Sequence, residues 1–150
     1  MTQEQNNKLI VFLSGPMRGV PREKALGWRK KAGKLLNKKI FTTLDAYRGR
    51  NRPRNKPDPI LDPKMAVARD KQDILRSHIL LVNDSYSPEQ YPKTSMIGTA
   101  MEILFAYMNN IPVIVFGSAR KENYWLNVHS HVRLDSLEEA CSYINKLFSK

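Results

Sequence analysis

The chain alternates short runs rich in apolar residues with longer stretches in which apolar residues recur at helical spacing. The short runs end in polar or turn-forming residues, as buried strands do. Strands are predicted at 8–14, 39–44, 78–83 and 111–117, with a weaker fifth strand at 128–132. Helices are predicted to open at Pro21, near Lys64 and after Gly98, and a last helix spans 137–148.

Strands that alternate with helices, and that are apolar enough to be covered on both faces, predict an α/β fold. We expect one domain over residues 1–150: a five-stranded parallel sheet in the flavodoxin-like (Rossmann-like) order, with helices on both faces. The helix over 100–108 is apolar nearly all round, which predicts that it is buried against the sheet. In such sheets ligands bind beyond the carboxyl ends of the strands, where the strand order reverses. A site is therefore predicted where the turn after the first strand meets the loop after the third.

The composition indicates a domain that needs no disulfide, structural metal or membrane helix. With 41% apolar residues in a chain of 150, a core can form without disulfides or a structural metal. The single cysteine, Cys141, lies on the apolar face of the last helix and is expected to be an inert buried thiol, which fits a reducing, cytoplasmic setting. No apolar run reaches the ~18–20 residues that a membrane helix requires, and the polar residues 1–7 do not resemble a signal peptide.

Basic residues are in excess and clustered. The 25 Lys and Arg against 14 Asp and Glu give a net charge of +11, which attracts phosphates, nucleotides or nucleic acid. The basic residues of the first helix, expected to face solvent, are Lys24, Arg29, Lys30, Lys31 and Lys34. Four of the nine prolines lie within 53–63, so residues 47–63 are predicted to form a long loop and are a candidate substrate cover. That loop carries Arg48, Arg50, Arg52, Arg54 and Lys56.

Several familiar motifs are absent from the sequence. It has no glycine-rich dinucleotide fingerprint, no Walker A motif and no Cys-x-x-Cys pair, so no cofactor is expected. His129-x-His131 has no carboxylate or cysteine close in sequence, so surface histidines are favoured over a ligand pair and no metal is expected. Tyr124 and Trp125 are interpreted as packing residues.

Glu102 stands out because it is a carboxylate one turn into an apolar helix. Near the positive end of the helix dipole we expect it to be ionised. The structural alternative is a glutamate that only serves the dipole or a cap. The segments that accompany it favour a chemical role.

Three segments occur in a fixed order along the chain. Ser14-Gly15-Pro16-Met17-Arg18-Gly19 follows the first strand, Asp70 lies eight residues before the residue that opens the third, and Gly98-x-x-x-Glu102 opens a helix. Over residues 8–116 this combination resembles the nucleoside 2-deoxyribosyltransferase superfamily. None of the segments is specific alone, so the resemblance depends on their combination on one α/β chain.

The resemblance implies a covalent mechanism. Glu102 would attack the anomeric carbon of a nucleoside, the base would leave, and the sugar ester would pass to water or to another base. Retaining glycosidases use the same logic, in which a carboxylate nucleophile divides one hard displacement into two easier ones. Asp70 is implied to manage the proton on the departing base, against the alternative of an exposed acid on a charged helix. Hydrolysis and transfer, and ribose and deoxyribose, stay open.

Arg18 follows Gly15 by three residues, as in the branch of the family that hydrolyses deoxynucleoside 5′-monophosphates. It is implied to hold the 5′-phosphate, together with backbone N–H groups at helix starts. The residues expected to bind substrate are Ser14, Gly15, Pro16, Met17, Arg18, Gly19, Asp84, Ser95, Gly98 and Thr99. The expected partner is a small-molecule nucleotide or nucleoside. The resemblance also implies a homodimer or higher homo-oligomer, with Asn127 as a candidate for contact with the neighbouring site.

The chain departs from the family at three positions. Phe12 stands where the family usually has a tyrosine, and His78 where the third strand commonly opens with an aspartate. Met96 stands where the transferases have an aspartate and the monophosphate hydrolases a serine, and Ser95 precedes it. The changes at Phe12 and Met96 put sugar recognition and the substrate in question, and the missing aspartate weakens a pure transferase interpretation.

Two other functions are open at this point. The basic loop at 47–63 could bind phosphates of a nucleotide or nucleic acid while Glu102 stays structural, although the loop has only Tyr47 as an aromatic for stacking. Nucleic acid is therefore not favoured as a partner. A TIR-like NAD glycohydrolase also uses a glutamate on an α/β domain, but the Gly-Pro-Met-Arg turn fits it less well.

Overall fold

The computed structural model of the protein describes residues 7–48 and 62–149. The strands are β1 (Leu9–Ser14), β2 (Phe41–Asp45), β3 (Ile79–Asn83), β4 (Val113–Phe116) and β5 (Val132–Leu134). The helices are α1 (Arg22–Leu35), α2 (Pro63–Leu75), α3 (Ile97–Met108), α4 (Tyr124–Val128) and α5 (Leu137–Leu147). All strand pairs are parallel, in the order β2-β1-β3-β4-β5, which confirms the predicted flavodoxin-like topology.

The sheet is covered on both faces, as predicted. Helices α1 and α5 pack on one face, where Trp28 meets Phe116 edge-on with ring centroids 5.5 Å apart. Helices α2, α3 and α4 cover the other face, where Ile74, Ile103 and Leu126 are buried. The strand β3 is buried along its whole length because it lies between two neighbouring strands and two helix layers.

The predicted loop at 47–63 is described only at its two ends. Residues 49–61 lie outside the described part of the chain, so the proposed substrate cover stays a prediction. Helix α2 begins where the loop was predicted to end. The side chain of Asp62 accepts a hydrogen bond from the backbone N–H of Lys64 at 2.8 Å, and Pro63 occupies the first helical position, two signals of a helix start.

The predicted fifth strand was misplaced. Residues 124–128 form the short helix α4, whose start is capped by the Asn123 side chain, and β5 begins only at Val132. Pairing with β4 sets this position, since Val132 lies opposite Ile114 in the register. Tyr124 and Trp125, interpreted as packing residues, are 75% and 70% exposed, so that interpretation was wrong.

Helix α3 packs against the sheet as predicted, but only one of its sides is buried. Thr99, Ile103 and Ala106 face the interior, whereas Met101 and Met108 are 67% and 70% exposed. The sheet and α2 pack against its inner side, whereas Leu104 and Met108 on its outer side stay exposed. Within the described ranges no helix has both the length and the apolar character needed to cross a bilayer.

Candidate active site

A pocket of about 370 Å³ opens at the carboxyl ends of β1 and β2, between α2 and α3. Parallel pairing of β1 with β3 places the turn after β1 beside the loop that leads into α3. The residues that line the pocket are Gly15, Pro16, Met17, Arg18, Ala46, Val67, Asp70, Lys71, Ile74, Ser95, Gly98, Thr99, Met101, Glu102 and Phe105. The predicted location at the strand ends is therefore where the pocket is found.

Glu102 is fixed by the last residue of β1. The buried Ser14 donates a hydrogen bond from Oγ to Oε1 of Glu102 at 2.9 Å. Glu102 lies next to the buried Ile103 on α3, at the edge of the inner face, so its side chain reaches the pocket. One carboxyl oxygen is thus held, and the group keeps access to the cavity.

Burial dominates the electrostatics of Glu102. Loss of solvent and, to a smaller extent, the Asp70 carboxylate raise its pKa from 4.5 to about 7, although the Ser14 hydrogen bond and the Arg29 charge oppose the rise. The sequence predicted an ionised carboxylate because of the helix dipole. That expectation is corrected, since at neutral pH the protonated and ionised forms of Glu102 are both populated.

Asp70 shares the pocket with Glu102. Its side chain is 17% exposed, and Oδ1 lies 3.8 Å from Nη2 of Arg69. Asp70 is therefore not the solvent-exposed helix acid that was the alternative. Two carboxyl groups, one held by a serine and one beside an arginine, face the same cavity.

The turn after β1 is shaped by close backbone approaches. A Cβ at Gly15 would lie 3.1 Å from Cζ2 of Trp28 and 3.2 Å from Cβ of Asn83, so a larger residue would push the turn away. Gly19 has a φ of +83°, and a Cβ there would overlap the Lys93 carbonyl. Arg18 between them is exposed at the surface, with its side chain lining the pocket.

Arg29 was expected on the solvent-facing side of the first helix, and the structure corrects this. Its side chain is buried, with 4% of the residue exposed. Nη1 donates to the Ala25 carbonyl at 2.6 Å and Nη2 to the Gly15 carbonyl at 3.0 Å. Helical spacing could have predicted this burial, because position 29 lies one turn from Ala25 and from Ala32, which are both on the buried face.

The structure does not bring Asp84 into the pocket. Its carboxylate, 1% exposed, forms ion pairs with Nη1 of Arg120 at 3.1 Å and Nη1 of Arg133 at 2.8 Å. It also accepts from the backbone N–H of Arg120 at 3.0 Å. Asp84 thus ties the loops after β3 and β4 to β5, a structural role in place of the predicted substrate contact.

The other residues predicted to bind substrate fall into two groups, those that line the pocket and those that hold or shape its neighbours. Ser95, Gly98 and Thr99 line the pocket, and their contact with substrate stays a prediction. Ser14 acts through its hydrogen bond to Glu102, and Gly19 shapes the turn outside the lining. Six lining residues were not predicted from the sequence: Ala46, Val67, Lys71, Ile74, Met101 and Phe105. Lys71 and Phe105 also contact each other, with the ammonium 5.8 Å from the ring centroid.

The three departures from the family pattern have different positions. Ser95, one residue before Met96, lines the pocket, and Met96 is the residue before the first turn of α3. Phe12 is fully buried in the core beneath α2 and α3. His78 lies outside the pocket lining, where its Nδ1 accepts from the Ile10 N–H at 2.9 Å.

The structure describes only some of the residues that were considered for phosphate binding by the basic loop and for metal binding. Arg50, Arg52, Arg54 and Lys56 lie outside the described residues, and Arg48 pairs with Asp73 at 2.8 Å. His129 and His131 pack against Tyr107, with ring centroids 5.2 and 5.3 Å away. Among the described residues no group of three His, Cys, Asp or Glu side chains is arranged to hold a metal.

Comparison with known proteins identifies the fold. No family model and no curated protein matches the chain. A conserved protein from Enterococcus faecalis V583 superposes with a TM-score of 0.69 at 17% identity, covering 94% of this chain and 99% of its own. A 2-deoxyribosyltransferase from the psychrotolerant bacterium Bacillus psychrosaccharolyticus superposes with a TM-score of 0.64 at 15% identity, covering 89% and 91%. The chain therefore shares its α/β fold with these two proteins.

The raised pKa of Glu102 makes the stability of the protein depend on pH. The folded form binds the Glu102 proton up to about pH 7. The unfolded chain releases it near its usual value, so stability falls as pH rises between these values, by about 3 kcal/mol in all. Glu102→Gln removes this cost. We expect the Tm of Glu102→Gln to exceed that of the wild type by several degrees at pH 8 and by less at pH 5, measured by thermal unfolding.

The matched control is Glu122→Gln, which changes a glutamate that is exposed in the structure. Its Tm difference from the wild type should stay constant between pH 5 and 8. A Glu102→Gln difference that is equally constant over this range would show that Glu102 titrates as an ordinary surface acid.

Proposed function

We propose that the protein cleaves the N-glycosidic bond of a nucleoside 5′-monophosphate or nucleoside, with Glu102 as the nucleophile. The observation that carries the proposal is that Glu102 and Asp70 line one pocket with Arg18. A carboxylate nucleophile, a second carboxyl for the proton and a cation for phosphate are the groups this reaction requires. The fold, which a 2-deoxyribosyltransferase shares, is consistent with that chemistry.

In the first step the ionised Glu102 attacks C1′ of the sugar. Ser14 holds Oε1, which leaves Oε2 to form the new C1′–O bond. As that bond forms, the C1′–N bond breaks and its electron pair stays on the base nitrogen. Asp70 transfers a proton from solvent to the departing base, which leaves neutral.

In the second step the glycosyl ester on Glu102 is opened. A water molecule attacks C1′, gives its proton to the Asp70 carboxylate, and restores the Glu102 carboxylate as the sugar phosphate leaves. A second base that enters the same position would take the sugar instead, and the reaction would be a transfer. The apolar lining from Val67, Ile74 and Phe105 suits the flat faces of a base and lowers the local water content.

The most direct test replaces the nucleophile. We expect Glu102→Gln to lower release of free base from nucleoside 5′-monophosphates at least ~10³-fold, because no carboxylate remains to attack C1′. Chromatography of products from nucleosides, monophosphates and NAD, with and without an acceptor base, gives the rate and separates hydrolysis from transfer. In the wild type kcat should rise between pH 6 and 8, as Glu102 with its pKa of about 7 ionises. Glu122→Gln is the control, and identical product traces for Glu102→Gln and wild type would refute the assignment.

Arg18 determines whether the 5′-phosphate is recognised. A guanidinium that donates to phosphate contributes ~1.5–3 kcal/mol, so Arg18→Ala should raise KM for a 5′-monophosphate ~10–100-fold. KM for the matching nucleoside should change less than ~3-fold, since it has no phosphate to lose. Lys34→Ala, which removes an exposed cation of α1, controls for the loss of net charge. Equal effects of Arg18→Ala on both substrates would remove the phosphate role.

We also propose that two copies of the chain associate through the outer side of α3 and α4. This α3–α4 surface consists of Met101, Leu104, Tyr107, Met108, Tyr124, Trp125 and Val128, all at least 37% exposed. Tyr107 and Trp125 both contact His129, so the two helices form a continuous surface. None of these seven side chains is charged in a protein of net charge +11, which favours contact between two identical surfaces over binding of phosphates.

The surface adjoins the candidate site because Met101 lines the pocket. Asn127 of the same chain is engaged, with Nδ2 donating to the Lys121 carbonyl at 2.7 Å, so its predicted contact with a neighbouring site stays a prediction. Light scattering after gel filtration should give about twice 17.3 kDa for wild type and 17.3 kDa for Trp125→Glu. Leu147→Glu, an equivalent change on the opposite face of the sheet, should stay dimeric. A monomeric wild type would refute the proposal.

A further inference from the structure

Arg29 is a buried charge for which neither the fold nor the proposed reaction accounts. Its guanidinium is removed from solvent and bonded to two backbone carbonyls, those of Ala25 and Gly15. Its Nε–H has no hydrogen-bond partner among the described residues. A buried cation bound in this way is costly, and an apolar side chain of similar volume often serves stability equally well. The presence of arginine here therefore points to a role beyond packing.

Two aromatic rings fix the orientation of the guanidinium. Its central carbon lies 4.6 Å from the Trp28 ring centroid and 5.1 Å from that of Tyr47. Trp28 is itself held by Phe116 in the core. The direction in which Nη2 points, towards the Gly15 carbonyl, is thus set by neighbours that belong to α1, to the end of β2 and to the sheet.

The Gly15 carbonyl connects Arg29 to Glu102. Gly15 directly follows Ser14, and Ser14 Oγ donates to Oε1 of Glu102 at 2.9 Å. The Gly15 carbonyl belongs to the peptide that follows Gly15, so it is joined to Ser14 through the Gly15 backbone, which the close approach of Trp28 and Asn83 confines. Arg29 thus acts on Glu102 through two contacts, at 3.0 and 2.9 Å, that the backbone of Gly15 connects.

The charge of Arg29 also acts on Glu102, in addition to the contacts through Gly15 and Ser14. Arg29 lowers the pKa of Glu102, against burial and against Asp70, both of which raise it. The groups that face Arg29 in turn are Asp45 and Tyr47 near the end of β2, Tyr86 in the loop after β3, and Glu102 on α3. Asp45 Oδ1 accepts from the Tyr47 N–H at 2.7 Å, so this carboxylate also serves its own turn. Loss of the cation would therefore raise the pKa of Glu102 above its value of about 7.

We propose that Arg29 is a positioning residue: through the Gly15 carbonyl it sets Ser14 against Glu102, and its charge favours the ionised Glu102 that attacks the sugar. The catalytic part of this inference rests on the proposed function. The effect on the ionisation of Glu102 does not, and it can be measured without turnover.

The experiment compares Arg29→Gln, Arg29→Lys and the control Lys30→Gln, which removes an exposed charge at the next position of α1. The Glu102 carboxyl is titrated by ¹³C NMR with Glu102→Gln used for assignment, and kcat is followed from pH 5 to 9. Arg29→Gln should shift both the titration midpoint and the acid limb of kcat upward, with a matching loss of ionised Glu102 below the midpoint. Arg29→Lys should restore most of the midpoint while kcat stays below wild type, because one ammonium cannot reproduce the two-carbonyl contact.

Each outcome decides the proposal. A folded Arg29→Gln with the midpoint and kcat of Lys30→Gln would make Arg29 purely structural and overturn the inference. If Arg29→Gln does not fold, Arg29→Lys decides: wild-type kcat overturns the proposal, and a reduced kcat with a near-normal midpoint supports it. If the wild type releases no base from any substrate, the proposed function fails, and the Glu102 midpoint in Arg29→Gln still supports or overturns the electrostatic effect.

Discussion

Holding a carboxyl group in a pocket lined largely by apolar side chains is the constraint on which the rest of this structure depends. Water stabilises an ionised carboxylate, so its removal favours the protonated form and raises the pKa of Glu102 to about 7. The Ser14 hydroxyl and the Arg29 charge return part of that stabilisation without admitting solvent. A glutamate in this balance changes protonation near neutral pH, which an exposed one does not.

The topology of the sheet allows these groups to meet. β1 pairs with β3, so the end of β1 lies beside the segment that leads into α3, and α2 follows β2 on the same face of the sheet as α3. Residues 14, 70 and 102 are far apart in the chain and adjacent at one sheet edge. The glycines of the turn after β1 complete the arrangement, because Gly15 admits Trp28 and Asn83 at close range.

Much of this could be predicted from sequence, and the failures have physical causes. Four strands follow from the apolar pattern of the sequence, and the position of the pocket follows from the rule that ligands bind beyond the carboxyl ends of parallel strands. The position of β5 could not be predicted in this way. Its three residues have half-buried side chains and carry little periodicity, and pairing with β4 sets their place. Asp84 resembled a site residue by its place after β3, yet Arg120 from the loop after β4 and Arg133 from β5 pair with it, and no local pattern encodes their approach. Burial of α3 against the sheet was predictable, but the exposure of its outer side was not, because apolar character alone does not say whether another part of the same chain covers it.

The net charge of +11 says less about what each cation can do than its position in the structure does. Arg18 and Arg29 belong to the same region of sequence, but one is exposed beside the pocket and the other is 4% exposed. An exposed guanidinium can exchange water for a ligand phosphate, whereas a buried one that is already bonded to two carbonyls can act only on its fixed neighbours. Composition counts the two as equal, and only the burial of position 29 between Ala25 and Ala32 separates an exposed cation beside the pocket from a buried one that is bonded to the Gly15 carbonyl.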